Sequence, residues 1–268
     1  MHKLVRQVRF SINPFLDETD WGFNSYSAKP TGHGLAIFFA LRVGLECKPN
    51  EDTGFVVNVT EIDSVVRNLV VPVFDETVKR NYRNRKHISL GGLCELLDYS
   101  KIILSEHFAQ MRLSELTLEL NPVRIIGIGN FKNGGKMICF SEKFDFAAMH
   151  KLWNDKFSEK QNFEAFGKCA NAAGHGHNYE AEVVVVIDEN KIDDFSIAGY
   201  QKAVKENFVD FVDHKNLNAD VEYFKHKNPT VENIAAFAFG QLKGKFTNSR
   251  LDKITIWETE RTSCTYSE

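Results

Sequence analysis

Two histidines spaced two apart, His175 and His177, with a third, His150, upstream and Cys169 between, are the residues here best suited to chemistry. In an extended chain, side chains two apart point to the same side, so the two imidazoles of His175-Gly176-His177 converge on one ion. His150 ends the preceding apolar segment, and a hairpin-like return brings it beside them. Three neutral imidazoles make a tetrahedral site with one position left for water or substrate, the pattern of a catalytic rather than a structural zinc site. Taken alone, an HxH pair is more often two polar loop residues. Cys169 lies in a Gly/Asn/Ala loop six residues before His175, near such a metal without ligating it. A thiol titrates near 8.5, and nearby positive charge lowers that value, so a thiolate can act as a base near neutral pH. A lone cysteine is more often an inert small hydrophobe. Asp213-His214 has the parts of a proton relay, although by itself such a pair is more often a polar helix end. Glu258 shares strand parity with Ile254 and Ile256; held in a pocket, it can accept two parallel N–H bonds from a guanidine-like ring edge.

The elements that must position these groups follow from periodicity. In the first half, 2–12 and 35–46 read as strands, rich in β-branched and aromatic residues and bounded by Pro, Gly and Asp. Thr60-Glu61-Ile62-Asp63 has capping-box spacing, and Ile62, Val65, Val66, Leu69 and Val70 then recur at helical intervals. Ser89 caps a second helix running to about Phe108, and 112–120 and 122–128 return to strand composition. The second half repeats the order. Strands fall near 137–148 and 179–187, and a helix near 196–211 has Ile197, Tyr200, Val204, Phe208 and Phe211 on one face. A helix follows Thr230, and strands at 251–258 and 261–267 complete the order.

Each half therefore reads as ββααββ, and landmarks in the loops agree. Gly32-His33-Gly34 lines up with Gly174-His175-Gly176, Phe74-Asp75 with Val212-Asp213, and Leu113 with Leu251. The expected organisation is two copies of one α+β domain, 1–132 and 133–268, joined around a Gly/Asn-rich turn at 130–135. A chain of 268 residues fits that, at ~150 residues per domain.

Composition excludes other classes. Thirty-three Lys+Arg against thirty-six Asp+Glu give a net charge of -3, without the basic excess of a protein that tracks nucleic-acid phosphates. No apolar run reaches the ~18 residues that a membrane helix needs, and the start lacks signal-peptide character, so a soluble, cytoplasmic protein with no membrane partner is expected. Five scattered cysteines do not form a disulfide framework.

The motifs FAAMHKL (146–152), FGKCANAAGHGHNY (166–179), DHKNLN (213–218), NPTVEN (228–233) and IWETE (256–260), in this order, resemble the 6-pyruvoyltetrahydropterin synthase family over 137–268. That resemblance implies His150, His175 and His177 as ligands of Zn2+, Cys169 as the base, and Asp213 and His214 as its relay. It also implies Glu258 as the pterin anchor, with Thr230 and Glu232 nearby in the pocket. The implied fold is the tunnelling fold (T-fold), with four antiparallel strands and two helices per domain. Domains join side by side into a barrel, with pockets between subunits, so a homo-oligomer is implied. The implied substrate is 7,8-dihydroneopterin triphosphate, and the products are 6-pyruvoyl-tetrahydropterin and triphosphate. No redox cofactor is needed, because the rearrangement is internal. A related activity, 6-carboxy-tetrahydropterin synthase of queuosine synthesis, takes the same substrate but releases acetaldehyde. Its members usually place Cys three residues before HGH, whereas five residues, Ala170 to Gly174, intervene here, as in the pyruvoyl-forming type. A protein that holds zinc and pterin without turnover is the alternative from another class; Cys169, Asp213, His214 and Glu258 together argue against it, since metal binding requires none of them. The first copy departs from the pattern, with Pro14 at His150, Ser27 at Cys169, Leu35 at His177, Glu76 at His214 and Gly91 at Glu232, keeping only His33 and Asp75. It is expected to be catalytically silent and to cover sheet edges in the barrel.

Overall fold

The structure, a computed structural model, describes residues 1–15, 36–130 and 136–268. Ser27, His33 and Leu35, and 131–135 of the expected linking turn, lie outside the described residues. The chain divides into two compact units, Met1–Phe140 with Asp188–Asp193, and Ser141–Ile187 with Asp194–Glu268. Both combine helices with an antiparallel sheet. No helix among the described residues is long and apolar enough to cross a membrane.

In the first unit, β1 (His2–Ile12), β2 (Ile37–Cys47), β3 (Arg112–Asn121) and β4 (Arg124–Asn130) lie side by side in that order, all antiparallel. Period-two alternation buries Val8, Phe10 and Ile12, then Leu41, Val43 and Leu45, on one face. Helices α1 (Val59–Val65), α2 (Val71–Arg83) and α3 (Leu90–His107) contribute Ile62, Phe74, Leu97 and Leu104 to the same core, and the turn between α1 and α2 adds Val66 and Val70. Each such side chain stabilises the fold by about 1.5–3 kcal/mol relative to exposure. Ser89 caps α3 as expected, its Oγ accepting the Gly92 N–H at 3.1 Å. Gly91 follows in the first turn, and a Cβ there would stand 2.6 Å from Asp193 Oδ1.

Two expectations for the first helical segment change. The cap is Asn58, whose Oδ1 accepts the Thr60 N–H at 3.0 Å, and the capping box at Thr60 does not form. The Asp63 carboxylate that would close it is instead held by two N–H bonds from Arg6, at 2.7 and 2.8 Å. A bidentate guanidinium is a stronger partner than one backbone amide. A π-helical turn at Val66–Val70 then inserts an extra residue between α1 and α2, so Val70 and Phe74 face the core and Leu69 is 47% exposed.

In the second unit the strand order is β5 (Lys136–His150, from Ser141 onward in this unit), β6 (His175–Ile187), β8 (Ser249–Thr259) and β9 (Thr262–Ser267). The two-residue β7 (Lys215–Asn216) runs parallel to the end of β5. Between β5 and β6 come α4 (Glu159–Phe166) and a 3-10 turn, Gly167–Ala170. After β6 come α5 (Ile197–Val204), α6 (Asp210–Val212), α7 (Leu217–Asp220) and α8 (Val231–Leu242). A π-helical turn, Lys205–Val209, again shifts the phase: Tyr200, Val204, Phe208 and Val212 are buried, and Phe211, expected on that face, is 51% exposed. The β6–β8 ladder carries a bulge, with Val184 opposite Lys253 but Val185 opposite Leu251. It moves the core-facing parity of β8 from Leu251 to Ile254 and Ile256, the parity of Glu258.

Candidate metal centre and active site

Three imidazoles meet where β5 ends and β6 begins. Along β5, Phe146, Ala148 and His150 are buried on one face; along β6, His175, His177 and Tyr179 alternate in the same way. Gly174 makes the approach possible. Its φ is +69°, and a Cβ there would stand 2.9 Å from the His150 carbonyl oxygen. The ring centroids lie 4.5 Å apart for His150 and His175, 5.2 Å for His150 and His177, and 4.8 Å for His175 and His177.

The donor atoms are disposed as a metal site requires. One ring nitrogen from each histidine falls within 4.8 Å of the others. His150 Nε2 and His175 Nε2 are 3.0 Å apart, close to the ~3.3 Å separation set by tetrahedral Zn–N bonds of about 2.0–2.1 Å. His150 Nδ1 lies 2.7 Å from the Pro229 carbonyl oxygen, which can only accept; the proton therefore sits on Nδ1, and Nε2 is free to ligate. His177 Nε2 and His175 Nδ1 are buried without a hydrogen-bond partner among the described residues. A buried orphan nitrogen is costly unless an ion or ligand pairs it, so this donor set fits a divalent cation. Burial lowers the pKa of His150 and of His175, which keeps both rings neutral and able to ligate.

Glu258 reaches the same place from β8. It is the extra residue of a second bulge, where Trp257 pairs with Ser263 and Thr259 with Thr262. Its Oε1 stands 3.6 Å from both His150 Nε2 and His177 Nε2. Cys169 sits on the 3-10 turn, anchored by the Leu152 N–H donating to its carbonyl oxygen at 2.9 Å. Burial, then the negative charge of Glu258, pushes its thiol pKa up. Among the described residues, no side chain supplies the positive charge expected to lower it. Tyr179 is 1% exposed, stacked on Phe146 at 4.9 Å, with its hydroxyl 3.4 Å from His150 Nδ1.

The Asp213–His214 pair forms at another face. Asp213 Oδ1 accepts the Ala147 N–H at 2.9 Å, and Oδ2 lies 2.9 Å from His214 Nδ1. The Ala147 amide first, then His214, hold the Asp213 carboxyl below the usual carboxylate range. The His214 backbone, in the left-handed region at φ 56°, donates to the Ala147 carbonyl oxygen, and its side chain is 82% exposed. The pair lines a cleft of about 810 Å³ with Lys143, Asn178, Trp257 and Glu260; Cys169 and the three histidines are not among its walls. Within one chain the structure thus joins His150, His175, His177 and Glu258, places Cys169 under the influence of Glu258, and leaves Asp213 and His214 apart. Thr230 caps α8, its Oγ1 accepting the Asn233 N–H at 3.4 Å, directly after the Pro229 that holds His150. Glu232 is exposed in the first turn of α8, and its charge acts on Cys264.

The residues that support the cluster carry weaker sequence signals. Tyr179 was readable as the next residue in the alternation of His175 and His177. The Pro229 carbonyl carries no sequence signal, because any residue offers one. Three asparagines hold the chain after His150: Asn218 takes the Lys151 N–H at 2.7 Å, Asn228 the Trp153 N–H at 2.9 Å, and Asn162 the Asn154 N–H at 2.8 Å.

A family model described as 6-pyruvoyl tetrahydropterin synthase matches residues 139–268. The chain is 42% identical over 135 residues to a Caenorhabditis elegans protein, covering 48% of this chain and 94% of that one. It is 34% identical over 141 residues to the Homo sapiens protein named 6-pyruvoyl tetrahydrobiopterin synthase, covering 50% of this chain and 95% of that one. A solved structure of Caenorhabditis elegans 6-pyruvoyl tetrahydropterin synthase aligns at 37% identity and a TM-score of 0.46, over 49% of this chain and 96% of that one.

Proposed function

The chain belongs to the 6-pyruvoyl tetrahydropterin synthase family, and on that premise we propose that its second unit is a zinc-dependent lyase. Its substrate is 7,8-dihydroneopterin triphosphate, and it releases 6-pyruvoyl-tetrahydropterin and triphosphate. The observation that carries this is the cluster of His150, His175 and His177, with an orphan buried nitrogen on His177 and Glu258 at its edge. Bound zinc supplies Lewis acidity that makes the hydroxyls and adjacent C–H bonds of the substrate side chain more acidic. Glu258 accepts N–H bonds from the pterin ring and fixes it so that the side chain meets the thiol. Cys169 takes carbon-bound protons. His214 exchanges them through Nε2, since Asp213 holds the Nδ1 side.

The exposure of His214, and its place in a cleft whose walls do not include Cys169, support a site assembled from two chains. The His214 of one copy then serves the Cys169 of another, within a homo-oligomer of T-fold domains.

The two units are proposed to be duplicates, the first catalytically silent. Three irregularities recur at matching places. The π turns are Val66–Val70 and Lys205–Val209. The first bulges lie at Gly44/Leu45 and Val184/Val185, and the second at Glu119/Asn121 and Trp257/Thr259. Counting from these bulges sets Ile37, rather than Leu35, against His177. Phe39, stacked on Phe10, corresponds to Tyr179, stacked on Phe146, and Leu120 to Glu258. With Pro14, Ile37 and Leu120 at those positions, the first unit lacks the donors of a metal site.

The test is incubation of zinc-loaded protein with dihydroneopterin triphosphate and identification of products by mass. Cys169→Ala is expected to retain its metal and lose turnover by about 10²–10⁴-fold. Equal inactivity of wild type and variant would favour a zinc- and pterin-binding protein without turnover. Acetaldehyde among the products would replace the pyruvoyl reaction with the carboxy-forming one.

A further inference from the structure

We propose that the first unit carries a separate binding site for a small phosphorylated heteroaromatic compound, a nucleotide-like ligand, in the cleft beneath the end of α2. This rests on that unit's own surface and is independent of the catalytic reading of the second. The cleft has a volume of about 670 Å³ and is lined by Pro14, Phe15, Tyr82, Arg83, Arg85, Lys86 and His87. Among the described residues, no carboxylate lines its walls.

Charge is concentrated here against the trend of the molecule. The chain has a net charge of -3, yet 79–87 (KRNYRNRKH) holds Lys79, Arg80, Arg83, Arg85 and Lys86 and no acid. Lys79 is paired with Asp75 at 2.9 Å, whereas Arg85, Lys86 and His87 are exposed and form no ion pair among the described residues. The fold does not require this charge. The second unit's matching connection, 217–225 (LNADVEYFK), buries Leu217, Val221 and Phe224 instead. Arg80 and Arg83 can be ascribed to the helix dipole at the end of α2, but Arg85, Lys86 and His87 lie beyond it.

Arg85 stands at a place that favours glycine. The Lys86 N–H donates to the Asn81 carbonyl at 2.9 Å and the Arg85 N–H to the Tyr82 carbonyl at 3.0 Å, a Schellman turn with Arg85 at φ 54°. A guanidinium is kept where its backbone is disfavoured. Beside it, Phe15 and Tyr82 meet edge to face, centroids 4.8 Å apart, while 72% and 46% exposed. Fixed cations and fork-shaped donors recognise phosphate oxygens, and an exposed aromatic pair offers a face on which a planar ring stacks. The volume suits a small molecule, and the cations form one cluster rather than the long stripe that a polymeric anion would track.

The experiment is calorimetric titration of the full-length protein with inorganic tripolyphosphate, GTP and guanosine, alongside thermal melts. GTP is expected to bind more tightly than tripolyphosphate, with guanosine undetectable. Arg85→Gly is expected to raise the melting temperature of the ligand-free protein, because it relieves the left-handed backbone, while weakening GTP about tenfold. Lys86→Gln is expected to weaken it similarly, and His175→Ala, in the second unit, to leave it unchanged. The proposal is overturned if none of the probes binds at millimolar concentration, if Arg85→Gly and Lys86→Gln bind GTP as wild type does, or if His175→Ala abolishes binding. Tripolyphosphate binding as tightly as GTP would overturn the claim that the ring is recognised.

Discussion

At the scale of single residues, the candidate metal centre depends on burial acting on His150 and His175. Burial lowers the pKa of His150 and His175, whereas in the unfolded chain a histidine titrates near 6.5. Below about pH 6.5 the unfolded chain takes up protons that the folded chain refuses, so the metal-free protein loses stability as pH falls from there, and these two rings contribute no pH dependence above it. Thermal melts in chelator at pH 7.5 and 5.5 should show this loss, and replacing both rings by Gln should flatten it. Metal retention should fail in the same direction, since ligation requires the neutral ring.

At the scale of elements, the centre exists because β5 and β6 come unusually close at Gly174. Gly174→Ala would need a left-handed alanine and would press a methyl group to 2.9 Å from the His150 carbonyl oxygen. A loss of about 1–3 kcal/mol in stability is expected by denaturant titration, together with weaker zinc binding by competition with a chelating dye. The bulges of β8 matter in the same way. One resets the strand so that Ile254 and Ile256 face the core, and the other leaves Glu258 as the extra residue that reaches the histidines.

For the whole molecule, the decisive feature is that Asp213 and His214 line a cleft which Cys169 does not share. If the proposed assembly brings the dyad of one chain to the thiol of another, mixing inactive Cys169→Ala with inactive His214→Ala protein should restore activity. A random dimeric pairing would recover about a quarter of the wild-type sites, by the symmetry of the contact. Activity assays after subunit exchange, with light scattering to record oligomer size, check this; no recovery despite proven exchange would place the relay and the base in the same chain.

The sequence by itself singled out His150, His175 and His177 as one candidate cluster, because period-two alternation and the His-x-His spacing survive any detail of packing. It also showed a mixture of helices and strands, since apolar periodicity reports which face an element buries, but not the short elements α4, β7 and α7. It did not determine helix phase past Val66 or Lys205, where a π turn inserts a residue that no 3.6-residue pattern contains, so the periodicity sets Leu69 and Phe211 on the wrong face. The cap at Asn58 escaped as well, because Arg6, distant in the chain, claims Asp63. Only tertiary structure decided that Pro229 fixes the His150 tautomer, that asparagines secure the chain beyond it, and that Glu258 faces the ring cluster. Those outcomes depend on which distant backbone groups meet, and local side-chain patterns do not encode that.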